Sequence, residues 1–453
     1  MPTRTSRWLV FAATACLIVC PIACARANDP PPTLVLVGGE RIAATFVNLH
    51  APTEATPSGE LELTGADGKK FRKPLEAIVS WGVRRDFESQ PQFLLRDGGV
   101  IVAELLGTDS GVWRIGADTT SFASRQPIWT SAELPIAALA GAIFAGPDDP
   151  AARDRLAAQL RRSSESDRDE VWMDQGNIVR GELTLAPVAQ NPAGAFDQPA
   201  RGLPPWRLKV RQREVEVAHD RVRAIRLRPR APQADVKARM LLGFVDGSLL
   251  AVTDASPQDD AIKLSLAGGG EAKLPRQTFL ESLCLVRPLH DRVAYLADRE
   301  PAEQRHLPYL SVQRAAQRNH NALGGLPRWN GQIYSKALGV CSQSFVVYSL
   351  DSLGSPDSAS SPDRKWERLS ADVAIDRAAG SGGAVTFRIF LETPDGWEVA
   401  AESGAVRGGD PPTPISASLR GANRVALVVD YGERLDVLDY ANWLNLRVEA
   451  PPP

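Results

Sequence analysis

Four times along the chain a short apolar run meets a glycine turn and doubles back into a second run. The runs are residues 34–37 before Gly38-Gly39, 93–95 before Asp97-Gly98-Gly99, 171–173 before Asp174-Gln175-Gly176, and 240–245 before Asp246-Gly247. Glycine reaches the positive φ that a tight hairpin turn demands, so each is a hairpin signal. The alternation in Leu61-Glu62-Leu63 and Val215-Glu216-Val217 fits strands with one buried and one wet face. Each copy ends in a hydrophobic close, at 75–81, 134–144, 222–227 and 279–286. Such units are too small for large sandwiches, so a mainly β chain with a series of small SH3-like or Sm-like barrels is expected.

At 453 residues the chain exceeds one ordinary core. The expected division is a signal peptide (1–27), repeats one and two (28–146), a helix with a charged linker (147–170), repeats three and four (171–286) and a β-sandwich (287–450). Asp148-Asp149 can cap the helix and Pro150 suits its first turn. Ala152, Leu156, Ala157 and Leu160 give it one apolar face. Residues 161–170 read as a solvated linker, and 187–205 and 352–363 as loops.

The first residues have the form of an export signal. Arg4 and Arg7 precede an uncharged apolar run, 8–23, and Ala25-Arg26-Ala27 offers a cleavage site before Asn28. A membrane anchor is the alternative, but the run is short and Pro21 interrupts it, so no span is expected after cleavage. A lipoprotein modified at Cys20 or Cys24 is a further, poorer fit, because Val19 is bulky directly before Cys20 and Pro21 sits three residues before Cys24. The expected location is the periplasm, the cell surface or the medium. Of 5 cysteines only Cys284 and Cys341 lie beyond the signal, which makes neither a disulfide framework nor a metal motif. A net charge of -2 argues against nucleic acid as partner.

From residue 293 a series of separated motifs appears in order: Val293-Ala294-Tyr295-Leu296-Ala297-Asp298, Leu323-Gly324-Gly325, Tyr334 to Val340, Val373-Ala374-Ile375-Asp376, Glu402-Ser403-Gly404, Arg407-Gly408-Gly409-Asp410, and Asp439-Tyr440-Ala441-Asn442-Trp443. This third of the chain resembles the NPCBM family of carbohydrate-binding modules, found beside glycoside hydrolase domains. The resemblance implies a galactose-binding-like jelly roll that holds sugar in the loops at one end, sometimes with a structural calcium ion. Cys341 and Tyr440 stand where the family has histidine, Ala337 where it has glycine, and Asn442 where it has aspartate.

A sugar site needs a ring to stack on the apolar face of a pyranose and carboxylates or amides for its hydroxyls. Trp329, Tyr440 and Trp443 are the candidate rings; Asp410, Asp439 and Asn442 are the candidate polar partners. The competing readings are core for Trp443, a turn anchor for Asp439 and a plain strand residue for Trp397. Asp376 is the candidate calcium ligand, since calcium takes hard oxygen donors; no cofactor is otherwise required. The 5 histidines are scattered, and neither a nucleophile elbow nor a phosphate-binding loop is present, so no catalysis is expected. The partners to weigh are a glycan, an envelope protein in a scaffold whose sandwich no longer binds sugar, and a separately encoded hydrolase.

Overall fold

In the computed structural model the glycine turns close four repeats of one course, with five strands in repeats one, three and four and six in repeat two. It describes residues 32–451 except 55, 87–90, 110, 117–127, 163–166, 185–204, 231–235, 310–311, 355–365 and 434. The signal-like segment and most of the 187–205 and 352–363 stretches therefore lie outside the described residues. Repeat one comprises Thr33–Leu36, Arg41–His50, Glu60–Gly65, Lys70–Pro74 and Ile78–Gly82. Repeat two runs from Gln92–Leu95 to Leu139–Ile143, three from Asp169–Met173 to Val222–Arg226, and four from Met240–Phe244 to Leu283–Pro288. In every copy the first strand pairs antiparallel with both the second and the last, so the course closes on itself.

The four turns share their bonding as well as their outline. Gly39, Gly98, Gly176 and Gly247, at φ of 82–94°, donate to the carbonyls of Leu36, Leu95, Met173 and Phe244. Before each closing strand lies a single turn of 3-10 helix, at Leu75–Ala77, Ile136–Ala138 and His219–Arg221; in repeat four it has grown into the α-helix Arg276–Ser282. A shared β-bulge in the first-to-last pairing bends each course at the same place.

The repeats then use up one another's edges. The closing strand of repeat one pairs with that of repeat four (Trp81↔Val286), and that of repeat two with that of repeat three (Ala142↔Ile225). At both crossings a glycine admits the neighbouring backbone: a Cβ on Gly82 would stand 2.2 Å from the Cys284 carbonyl oxygen, and one on Gly141 2.3 Å from that of Ile225. Ser131–Pro135 of repeat two pairs with Glu271–Pro275 of repeat four. Paired edges cannot template aggregation. Aromatic rings bridge the repeats too, Trp113 to Trp206 at 5.5 Å and Trp129 to Phe244 at 5.0 Å.

The helix forms where its cap lies, at Pro150–Arg161, with the Asp149 carboxylate accepting from Ala152 N–H at 2.7 Å. Leu156 and Leu160 bury against repeats two, three and four. The charged linker reading of 161–170 is corrected at both ends. Arg161 belongs to the helix, and Asp169 and Glu170 open a strand and are 0% and 2% exposed. Arg230 neutralises the first; Arg180 and Arg226 neutralise the second.

The last third is a sandwich. Its six-stranded sheet orders Gln317–Arg318, Ala337–Val340, Ala441–Glu449, Arg368–Ile375 and Thr413–Ser418, with Val293–Tyr295 also paired to Ala441–Glu449. Its five-stranded sheet orders Glu303–His306, Ser344–Ser349, Arg424–Tyr431, Ala384–Thr393 and Gly396–Arg407. Val373, Phe387, Leu427, Trp443 and Leu446 fill the space between. The outer face of the six-stranded sheet is covered as well, so Arg368–Ile375 and Ala441–Glu449 are buried nearly throughout.

The cover is the repeats. A hairpin, Arg328–Trp329 with Gln332–Ile333, adds Arg84–Arg85 as a third strand. Arg328 binds both oxygens of Asp154 on the helix and donates Nε to Asp86 at 2.9 Å. Burial alone would lower the Arg328 pKa, but the two carboxylates hold it above the ordinary range. Arg41 reaches Asp372 at 2.6 Å, and Gly38 N–H donates to Glu449 at 2.8 Å. Arg328→Met strips a buried carboxylate of its counter-charge, which costs about 3–5 kcal/mol. Urea unfolding of the full chain checks this expected loss.

Candidate functional site

The loops at one end of the sandwich gather most of the candidate residues, but they turn few of them outward. Along Ala441–Glu449, Ala441 and Trp443 face the core while Asn442 faces the opposite side. Trp443 is 0% exposed and packs edge-on against Phe387 at 5.0 Å. It cannot stack on a sugar; the core reading of this residue is the correct one. Asn442 is 1% exposed and donates Nδ2 to Asp376 Oδ2 at 2.9 Å. Asp439, also 1% exposed, accepts from Ala384 N–H at 2.9 Å, with Ser342 at its other side. Asp439 thus anchors the loop, and burial raises its pKa.

Tyr440 and Asp410 remain accessible. The Tyr440 ring is half-buried, packed on the rim of the core, and its carbonyl accepts from Asp376 N–H at 2.7 Å. Asp410 is half-buried and closes its own turn by accepting from Arg407 N–H at 2.9 Å. Gly408 N–H donates to the Gly383 carbonyl, which docks that turn beside Asp439. The close approach needs glycine: a Cβ on Gly408 would stand 2.0 Å from the Gly382 oxygen. Trp329 lies elsewhere. It sits in the covering hairpin against Tyr334, Ala337, Ala374 and Leu444, where the repeats meet the sheet.

Two features of this end were not singled out in the sequence. The run Gly380-Ser381-Gly382-Gly383 lets three loops converge, a signal visible in its composition. Leu435, Val437 and Leu438, 47%, 56% and 40% exposed, form an apolar crown beside Asp439. No sequence pattern marks them as exposed rather than core.

Asp376 does not fit a calcium shell. Its carboxylate caps the 3-10 turn Arg377–Ala379 through Ala378 N–H at 3.0 Å and accepts from Asn442, and both partners are N–H donors rather than oxygen ligands. Among the described residues no three His, Cys, Asp or Glu side chains converge as a metal site requires. Asn442→Asp would bury a second carboxylate against Asp376, raising its folded pKa above the unfolded value. The charged form is then penalised above about pH 4, and the penalty fades as pH falls to that value. Urea midpoints against pH should show a loss of roughly 2–3 kcal/mol at pH 7, as a shift of about two pH units implies, and recovery near pH 4.

No curated protein matches the chain. Among solved structures it is similar to a CBM51 module with GlcNAc and INT domains of ZmpB from Clostridium perfringens, at 16% identity, TM-score 0.29, 45% of this chain and 42% of that one. The chain therefore spans about two fifths of that structure's length. It is also similar to the CBM51 of a Clostridium perfringens GH95 in complex with methyl-galactose (21% identity, TM-score 0.27, 34% of this chain, 99% of that one). Tandem CBM51 modules of the family 98 glycoside hydrolase Sp3GH98 of Streptococcus pneumoniae SP3-BS71 match at 9% identity, TM-score 0.28, over 89% of this chain and 97% of that one. Among the described residues no helix is long and apolar enough to cross a membrane. The family model of the NPCBM/NEW2 domain matches residues 293–449, the span of the sandwich.

Proposed function

We propose that the chain is an exported, non-catalytic glycan-binding protein of the periplasm or cell surface, in which the sandwich takes sugar at its loop end and the repeats serve as its mount. The NPCBM/NEW2 match over residues 293–449 carries this reading. Tyr440 supplies the half-buried ring, and Asp410, half-buried in the turn docked near Asp439, supplies a carboxylate for hydroxyls. Asp439, Asn442 and Asp376 act from beneath by fixing the backbone that carries Tyr440. Trp329, half-buried at the junction with the repeats, holds the module rather than the ligand. Calorimetric titration of the full chain with galactose-containing oligosaccharides tests the reading. Saturable binding is expected, weakened about tenfold by Tyr440→Ala; binding that ignores this substitution would place the site elsewhere.

A second reading, an envelope scaffold, is favoured by the apolar crown of Leu435, Val437 and Leu438. On that reading Val437→Ser abolishes retention of an envelope partner while the full chain shows no affinity for any glycan on an array. Retention of the partner by the variant would remove it.

A further inference from the structure

A cleft of about 650 Å³ lies where the helix, repeats two and four, and the sandwich meet. Helix residues Ala157, Ala158 and Arg161 form one wall, and Lys336 with Asn319 of the sandwich forms the other. The floor is apolar, with Leu94, Val100 and Leu249. Among the described residues the lining carries Arg84, Arg153, Arg161, Arg162 and Lys336 with Asp97 and Asp154, and Arg153 is paired with Asp86. Both acidic groups are already engaged. Asp97 holds its own hairpin turn through Gly99 N–H, and Asp154 is held by Arg328. Lys336 is paired with Asp298.

Arg161 is different, because its hydrogen bonds go to carbonyls. Its Nη2 donates to Gly98 and Gly99 at 3.3 and 2.8 Å, and the residue is otherwise exposed to solvent. Arg84, 6% exposed, is pushed down to about 10 by burial and then by the charge of Arg161. A second, independent feature lines the same cleft. Gln92 is 2% exposed and its Nε2 donor has no hydrogen-bond partner, although buried donors are ordinarily paired.

We infer that this cleft binds a small ligand bearing an oxyanion, a carboxylate or a phosphate on a body about the size of one sugar. Arg161 offers the guanidinium fork that suits either group. Gln92 supplies the amide donor, and the apolar floor takes the ligand's body. The site is separate from Tyr440 and stands or falls independently of it.

The test is calorimetry on the full chain in a buffer free of phosphate and carboxylate, with D-glucuronate, inorganic phosphate and glucose as probes. Saturable binding of glucuronate or phosphate is expected, stronger than that of glucose and weakening as chloride is raised. A response to only one anion identifies the group the cleft prefers. Arg161→Met should weaken it about tenfold or more, the loss of one charge-assisted hydrogen bond. Because Arg161 also braces the hairpin at Gly98, Ala158→Glu provides a second variant. It tethers a carboxylate to the cleft wall and should block the anion with Arg161 in place. Tyr440→Ala should leave anion binding unchanged. Three results would each overturn the inference: no saturable binding of either anion, equal binding of glucose, or anion binding that survives both cleft variants.

Discussion

Which surfaces of the sandwich stay accessible follows from the burial of both faces of one sheet. A sandwich standing alone would present the outer side of its six-stranded sheet to water. Here that side carries Ala374, Leu444 and Ala337 and is roofed by Trp329 and Tyr334, which the repeats hold down. Arg328 is the peg. It leaves the sandwich, enters the joint between the helix and repeat one, and satisfies two carboxylates there. Such a buried ion pair contributes little net stability beyond an apolar contact, but it tolerates only one seating. The consequence is that a ligand can reach the sandwich at its loop end, on its five-stranded sheet or in the cleft beside Lys336, and not on the sheet face that Trp329 and Tyr334 cover.

The mount is built from repetition. Each repeat bends at its bulge and closes first strand on last, which leaves it few edges to satisfy. The remaining edges are paired between repeats, one with four and two with three, and glycine stands at both crossings because only a residue without Cβ lets the backbones meet. Repeat one to repeat four is the most distant pairing in sequence, so the series is wrapped into a single body instead of being strung out.

The hairpins were legible because their glycines are backbone requirements, visible without knowing any partner. The helix was legible through Asp149 and Pro150. The short strands Lys70–Pro74 and Glu271–Pro275 were not, because they are charged and only their pairing makes them strands. Asp169 and Glu170 looked solvated for the same reason: the arginines that neutralise them are 10 to 61 residues away. At the candidate site the loops that carry Asp410, Asp439 and Tyr440 lie close together, while Trp329 sits apart from them in the covering hairpin. Composition could not tell that Asp439, Asn442 and Trp443 support the loops from within while Tyr440 and Asp410 meet solvent. Burial depends on which way a strand's alternation falls, and Asn442 and Trp443 are neighbours on opposite faces.

Hydroxyl-radical footprinting of the intact chain tests the covered sheet most directly. Tyr334, part of the roof, is 7% exposed where it packs against the sheet, and Tyr309, in the same domain, is 62% exposed. If the repeats seal that face, Tyr309 is oxidised quickly while Tyr334 stays protected. Oxidation of Tyr334 at the rate of Tyr309 would mean the sheet lies open, and the reading of the loop end as the sandwich's recognition surface would lose its basis.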